Sequence, residues 1–133
     1  MRLFALLLSF LLIPSFAVAN EGKTESSESG IEYLEITPRL TVNLAEPRKY
    51  LLANIQLLAE GAEAIEKIKK NMPAIKHELI MLYSGRPVDS LQTMEQREAL
   101  RKETLVAIRK VLDKYENSKG FNDVFFTDFL INY

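Results

Sequence analysis

The sequence predicts an α+β domain in which a small antiparallel sheet packs against about three helices, in the order ββαααβ. Three observations predict this fold class. Two runs within 34–57 alternate apolar and polar residues, the period of half-buried strands. The stretch 62–116 spaces its apolar residues by three or four, the period of amphipathic helices. An aromatic-rich run over 124–133 then predicts a C-terminal strand beside the first hairpin.

Residues 1–19 have the pattern of a secretory signal peptide. A charged Arg2 precedes an apolar run, Pro14 breaks that run, and the small residues Ala17 and Ala19 follow. Even extended across Pro14 the run reaches only about 17 residues, whereas a membrane-spanning helix needs about 20. We therefore predict cleavage after Ala19, with an uncleaved signal anchor as the alternative. Either reading predicts that the folded domain is exported.

Residues 20–30 read NEGKTESSESG, which is polar and acidic, so we predict a disordered linker ahead of a domain at 31–133. The formal net charge of −1 lacks the basic excess of nucleic-acid-binding proteins, and we predict no nucleic-acid partner. The chain contains no cysteine. An oxidising compartment therefore gives it no disulfide, and its stability must come from an apolar core.

The first alternating run predicts a strand with one apolar face, formed by Leu34, Ile36, Leu40, Val42 and Leu44. Pro38 lies on this face and cannot donate a ladder hydrogen bond, so the strand bends there or lies at an edge. Residues 45–49 supply a five-residue turn. The second run, with Leu51, Ala53, Ile55 and Leu57 on one face, completes a hairpin.

The helical part of the sequence predicts three helices. Pro73 suits a first helical position and disfavours helical geometry in the residue before it, which divides the first apolar stripe into helices at 62–71 and 73–83. Thr93 and Gln96 have the spacing of a capping box, which predicts that a third helix begins near Met94 and ends near Glu116. This helix is expected to bury Leu100, Thr104, Ala107, Ile108, Val111, Leu112 and Tyr115.

The last predicted strand, 124–133, has apolar residues on both faces. Strict alternation places Phe125, Phe129, Ile131 and Tyr133 on one side, and Val124, Phe126 and Leu130 on the other. One interpretation is a central strand that is covered on both sides. The other is that its second face, or a strand edge, contacts another copy or a partner chain.

Residues for catalysis are sparse, and we predict that the protein is not an enzyme and needs no cofactor or metal. The single histidine, His77, is expected on a helix surface, and no glycine-rich phosphate loop is present. Asp123 and Asp128 are five residues apart on a strand, so they are expected on opposite faces and unsuited to act as an acid/base pair. Asp128 is interpreted as a partner for a backbone amide or an arginine, or as a solvent-facing charge.

Several short motifs occur in a familiar order: PRLTVNL at 38–44, RKYL at 48–51, Met72-Pro73, an apolar helix ending at Ser84, and VFFTDF at 124–129. Together they resemble the flagellar basal-body-associated FliL family, from near Tyr33 onward. The resemblance implies a stomatin/prohibitin-like fold on the periplasmic side of the inner membrane. Such domains are thought to form rings about the stator units and to support swimming and swarming.

This resemblance implies a non-enzymatic scaffold whose partners are further copies of the chain and the flagellar stator or basal-body proteins. The positions that carry it, which we interpret as structural or contact residues, are Asn43, Leu44, Pro73, Phe126, Thr127, Asp128 and Phe129. Family members usually keep an uncleaved membrane helix, whereas the apolar run here is short. A cleaved protein would be soluble in the periplasm and would dock on anchored relatives. The alternative function is a periplasmic binding or envelope-maintenance domain unrelated to motility.

Overall fold

The computed structural model describes residues 30–132, and within them it confirms the predicted α+β class. A four-stranded antiparallel sheet carries the helices against one of its faces. The predicted signal peptide, the linker up to residue 29 and Tyr133 lie outside the described residues. In chain order the elements are β1 Ile31–Glu35, β2 Leu40–Asn43, β3 Tyr50–Glu60, α1 Ala62–Lys70, α2 Met72–Tyr83, a short 3₁₀ helix Val88–Leu91, α3 Met94–Tyr115 and β4 Phe121–Asn132.

β1 and β2 are the two halves of the first predicted strand, which is interrupted around Pro38 as expected. The Ile36 amide donates to the Ile55 carbonyl at 2.9 Å, and the pairing resumes with Leu40 opposite Ala53. The first strand therefore contains two extra residues in this interval. Because side chains alternate with a period of two, an insertion of two leaves the apolar residues of both halves on the buried face.

β3 is the central strand of the sheet. It pairs with β1 and β2 along one edge and with β4 along the other, over almost its whole length. Its odd-numbered residues from Leu51 to Ala59 are all buried, while the even-numbered ones between them are half-buried. This alternation identifies the face that meets the helices, and it fixes which way every paired side chain on the other strands points.

β4 differs from the prediction in two respects. It begins at Phe121, and among the described strands it pairs with β3 alone at the edge of the sheet, so the interpretation as a central strand is wrong. Asp128 lies opposite Asn54 but Phe126 lies opposite Ile55, so Thr127 is an extra residue in a β-bulge. This bulge shifts the alternation by one residue. Phe126 and Phe129, predicted on opposite faces, therefore share the face toward the helices.

The helical layer follows the predicted pattern closely. Thr93 Oγ1 accepts from the Gln96 amide at 3.1 Å and Gln96 Oε1 accepts from the Thr93 amide at 3.0 Å, which confirms the capping box. Six of the seven residues predicted to be buried on α3 are buried. The exception is Tyr115, which is 55% exposed because the last turn of α3 extends past the buried cluster.

A buried hydrogen-bond chain joins α2 to α3. The Tyr83 hydroxyl lies 2.7 Å from Thr104 Oγ1, and the Thr104 hydroxyl donates to the Leu100 carbonyl at 2.7 Å. Because threonine has one hydroxyl hydrogen, Tyr83 must be the donor in the first bond. Burial raises the pKa of the Tyr83 phenol above its ordinary value, which keeps that hydrogen in place.

Replacing Thr104 with Val should destabilise the protein by about 1–3 kcal/mol, because the buried Tyr83 hydroxyl loses its acceptor. Tyr83→Phe should cost less, about 0.5–1.5 kcal/mol, since Thr104 keeps its bond to the Leu100 carbonyl. The double variant should be less destabilised than the sum of the two. Urea unfolding of the four proteins measures this cycle, and strictly additive losses would show that the two hydroxyls do not interact.

A second stability prediction concerns Gly120, whose φ is +87°. A Cβ built there would lie 2.5 Å from the Ala64 Cβ and 2.6 Å from the Glu60 carbonyl oxygen. Gly120→Ala should therefore lower the free energy of unfolding by about 2–5 kcal/mol, because it adds left-handed backbone strain and overpacking. Gly85 is the matched control, because its φ is +76° but a Cβ there meets no atom within 4 Å. Gly85→Ala should cost only about 1–2 kcal/mol, so equal losses in denaturant unfolding would count against this packing.

Candidate protein-contact surface

The seven residues singled out from the sequence fall into two groups in the structure. Asn43 ends β2, and its carbonyl accepts from the Gly85 amide at 2.9 Å. Leu44 is buried, and its amide donates to the Lys49 carbonyl at 2.9 Å. Pro73 is exposed in the first turn of α2. These three positions direct the chain through turns and are not brought together with the other four, which lie consecutively on β4.

The β4 residues border a concave surface that we call the aromatic groove. Its volume is about 540 Å³, and it runs between β4 and the first half of α3. The Phe126 and Phe129 rings pack there at a tilt of 51°, with centroids 5.3 Å apart. The Tyr83 ring meets Phe126 edge-on, with centroids 6.3 Å apart. The residues lining the groove are Met94, Arg97, Glu98, Arg101, Phe125, Phe126 and Phe129.

Two arginines of α3 complete the groove, and the sequence analysis missed both. The Arg97 guanidinium lies 4.7 Å from the centroid of the Phe129 ring, and its Nε donates to the Leu91 carbonyl at 3.1 Å. A guanidinium over an aromatic face gains a cation–π attraction. Arg97 and Arg101 are four residues apart and so share one side of the helix. This spacing, read together with an aromatic strand, was the available sequence signal.

Arg101 fixes the position of α3 against the start of β4. Its Nη1 lies 2.5 Å from Asp123 Oδ1 and donates to the Val124 carbonyl at 3.2 Å. Its Nε and Nη2 bind both carboxylate oxygens of Glu98, at 2.8 Å and 2.6 Å. The hydrogen bond from Arg101 holds the pKa of Glu98 below its usual range. Bidentate pairing of this kind orients a guanidinium firmly, so the Arg101 side of the groove is preorganised.

Thr127 and Asp128 are exposed and form the bulge at the rim of the groove. Thr127 Oγ1 donates to the Asn54 carbonyl at 3.4 Å, and the Asn54 side-chain amide donates to Asp128 Oδ2 at 3.1 Å. Asp128 is therefore a solvent-facing charge on an edge strand, which was one of the two interpretations. The partners predicted by the other interpretation, a backbone amide or an arginine, are replaced by a side-chain amide. These bonds tie the bulge to the central strand.

The expectation that Asp123 and Asp128 point to opposite faces is wrong. Asp123 pairs with Leu58 and Asp128 with Asn54, so the extra residue at Thr127 restores both aspartates to the same face. Their partners are four residues apart on β3, which separates the two carboxylates by about 13 Å. At that distance they do not share a proton or a substrate atom.

Other chemistry-bearing groups are dispersed. His77 is exposed on α2, as predicted. Within residues 30–132 no three histidine, cysteine or carboxylate side chains come together in a way that could hold a metal ion. None of the helices in that range combines the length and apolarity needed to cross a membrane. The aromatic groove instead offers aryl faces, a thioether and guanidinium groups, which are the side chains enriched where proteins contact each other.

Comparison with known proteins agrees with the motifs found in the sequence. The family model described as flagellar basal body-associated protein FliL matches residues 33–131. A flagellar protein FliL from Aquifex aeolicus (strain VF5) is 32% identical over 111 residues, an alignment that covers 82% of this chain and 66% of that protein. This chain thus spans just under two thirds of its relative. The family match extends over most of the chain and includes both β3 and β4. The protein therefore belongs to the FliL family of flagellar basal body-associated proteins.

Proposed function

We propose that this protein supports flagellar motility, swimming and swarming, as a non-enzymatic module that binds other proteins of the motor. Its partners are stator or basal-body proteins together with further copies of the chain. Membership of a family described as flagellar basal body-associated supports the location. The observation that carries the contact role is the position of β4, an edge strand that borders the aromatic groove.

An edge strand and an adjacent groove suit the binding of an extended segment. Within residues 30–132 β4 pairs with β3 alone, so backbone groups along its other edge can accept a further strand. A strand added there would place alternate side chains toward the aromatic groove. Met94 on the groove wall is 88% exposed, and such an exposed apolar side chain gains most from being covered. Backbone pairing would then supply affinity and the groove would supply specificity.

The proposed site of action is the periplasmic side of the inner membrane. The pattern of residues 1–19 supports export, either with cleavage after Ala19 or with the apolar run retained as an anchor. The two forms differ in how far from the membrane the domain can lie. A cleaved domain docks on membrane-bound partners from the periplasm, whereas an anchored one stays within the length of the 20–30 linker from the bilayer.

Deleting the gene should abolish or strongly reduce swarming while growth in liquid medium stays normal. The reason is that a contact protein of the motor affects rotation without affecting metabolism. Swarm-plate diameter, swimming speed and an envelope-stress reporter measure the outcome, and a plasmid copy of the wild-type gene provides the control. Normal motility with an activated stress reporter would instead favour the envelope-maintenance function.

Replacing Met94 with Glu should reduce motility toward that of the deletion strain, because a carboxylate placed on the groove wall must be desolvated when a partner covers it. Met81→Glu is the matched control, since Met81 is also an exposed methionine, at 64%, and lies on α2 away from the groove. Both proteins should unfold at the wild-type temperature. Equal swarming by the two variants would contradict a role for the groove.

A further inference from the structure

In the part of the chain that the structure describes, the helices leave one face of the sheet uncovered, and we call it the outward face. The register defines it: residues paired with even-numbered positions of β3 lie on this face. At the β4 edge, two of them, Asp123 and Phe125, also contact Arg101 of α3. The apolar members of the outward face are Ile31, Tyr33, Tyr50, Leu52, Leu58, Phe125 and Leu130. Its acidic members are Glu35, Glu60, Asp123 and Asp128.

The outward face is unusually apolar for a sheet surface in contact with water. Tyr33 is 58% exposed, and Ile31 and Leu130 are 51% and 52% exposed. Tyr33 on β1 and Phe125 on β4 lie on the two sides of β3, with their ring centroids 6.3 Å apart. Antiparallel sheets normally carry polar side chains on a solvated face. Apolar residues clustered on such a face are typical of an interaction surface.

The charged side chains that the four strands contribute to the outward face are all acidic. The four strands contain no lysine or arginine, while four carboxylates point outward. Asp123 is paired with Arg101 from α3. Among the described residues the other three make no ion pair: Asp128 binds the Asn54 amide and Glu60 binds the Asn122 amide at 3.2 Å. Glu60 also lines a pocket with Lys67 and Lys119 at one end of the sheet. Around Glu35 and Asp128 the face therefore combines apolar side chains with carboxylates that make no ion pair among the described residues.

We propose that the outward face binds a cationic amphipathic helix of another protein, an inference that rests on the proposed contact function and names the chemistry of one partner. Two copies of the chain joined through this face would set carboxylates against carboxylates. An anionic bilayer would be repelled for the same reason. The groove between α2 and α3 of a second copy is a poor complement, because Glu78 and Glu103 line it together with Lys102 and Lys110.

A helix fits this face better than an extended chain does. A helix satisfies its own backbone hydrogen bonds, whereas a strand lying flat on a sheet face would find no partners for its amides and carbonyls. Two apolar areas lie on this face: the rings of Tyr33 and Phe125 near Leu58, and the pair formed by Leu52 and Leu130. Leu58 and Leu52 are six residues apart along β3, a distance of about 20 Å. A helix of about 13 residues spans that distance. Asp128 lies between the two apolar areas, where it would meet a lysine or arginine of the helix.

Photocrosslinking in the native organism tests this inference with the full-length chain. A photoreactive phenylalanine analogue is placed at Leu130 or Tyr33, and the adduct is digested and identified by mass spectrometry. Val106 on α3 is the matched control, because it is also apolar and 52% exposed but lies on a helix, away from the strands. We expect adducts at Leu130 and Tyr33 with one segment of another protein, containing lysine or arginine and apolar residues at helical spacing. Val106 should not give that adduct.

Charge reversal provides the second measurement. Glu35→Lys combined with Asp128→Lys should lower the yield of the Tyr33 adduct by roughly fivefold or more, since each change replaces an attraction with a repulsion. Glu78→Lys on α2 should leave the yield unchanged. Both substituted positions on the sheet are exposed, and circular dichroism with thermal unfolding checks that the fold persists.

Several results would overturn the inference: an adduct with a second copy of the chain, with lipid or with an acidic segment, the absence of any adduct, or a yield insensitive to charge reversal. Its failure is separable from failure of the proposed function. A deletion strain that loses swarming while Leu130 and Tyr33 give no adduct would retain the motility role and exclude this partner. A deletion strain with normal swarming would remove the motility role itself.

Discussion

β3 pairs with β1, β2 and β4, and this pairing is the constraint on which the rest of the structure depends. Its alternate residues from Leu51 to Ala59 are completely or almost completely buried, so they form the floor of the core on which all the helices pack. A slip of one residue in any of its pairings would turn an apolar row out to water. The two-residue insertion around Pro38 and the bulges of β4 are tolerated because each leaves the buried row of β3 in place.

The Thr127 bulge links that constraint to the contact surface. If Thr127 followed the regular alternation instead of forming a bulge, Phe126 and Phe129 would point to opposite faces, and the ring pair at the centre of the aromatic groove could not form. The bulge is held by Asn54 through its carbonyl and its side-chain amide, which contact Thr127 and Asp128. Two exposed polar residues therefore set the geometry of two neighbouring aromatic ones. The motif VFFTDF has a physical reason: its Thr-Asp pair shifts the alternation between its phenylalanines.

The elements were predictable from the sequence because their signals are local. Thr93 and Gln96 placed the start of α3 correctly, and Pro73 separated α1 from α2, since capping and proline geometry act within one turn of the chain. The bulge, the edge position of β4 and the arginine stack were not predictable in this way. A bulge is defined by a register with a distant strand, and Arg97 meets Phe129 only after α3 has packed on the sheet. Strict alternation therefore gave the correct elements but the wrong relation between the residues on the two sides of the bulge, such as Phe126 and Phe129.

Ion pairs between described residues are concentrated on the helical side of the domain, whereas the sheet contributes one, between Arg101 and Asp123. Ion pairs on the helical side neutralise charge within the molecule, as Arg86 does with Glu103 and Lys70 with Glu116. Such exposed pairs contribute at most about 1 kcal/mol each, so the fold rests chiefly on the apolar core. On the outward face Asp123 binds Arg101 and Asp128 accepts from Asn54, whereas Glu35 makes no ion pair among the described residues. In the binding proposed above, the unpaired carboxylates act when another surface approaches, because an acidic face attracts basic segments and repels acidic ones before any apolar contact is made. That proposal requires no loss of stability, since these carboxylates lie outside the apolar core.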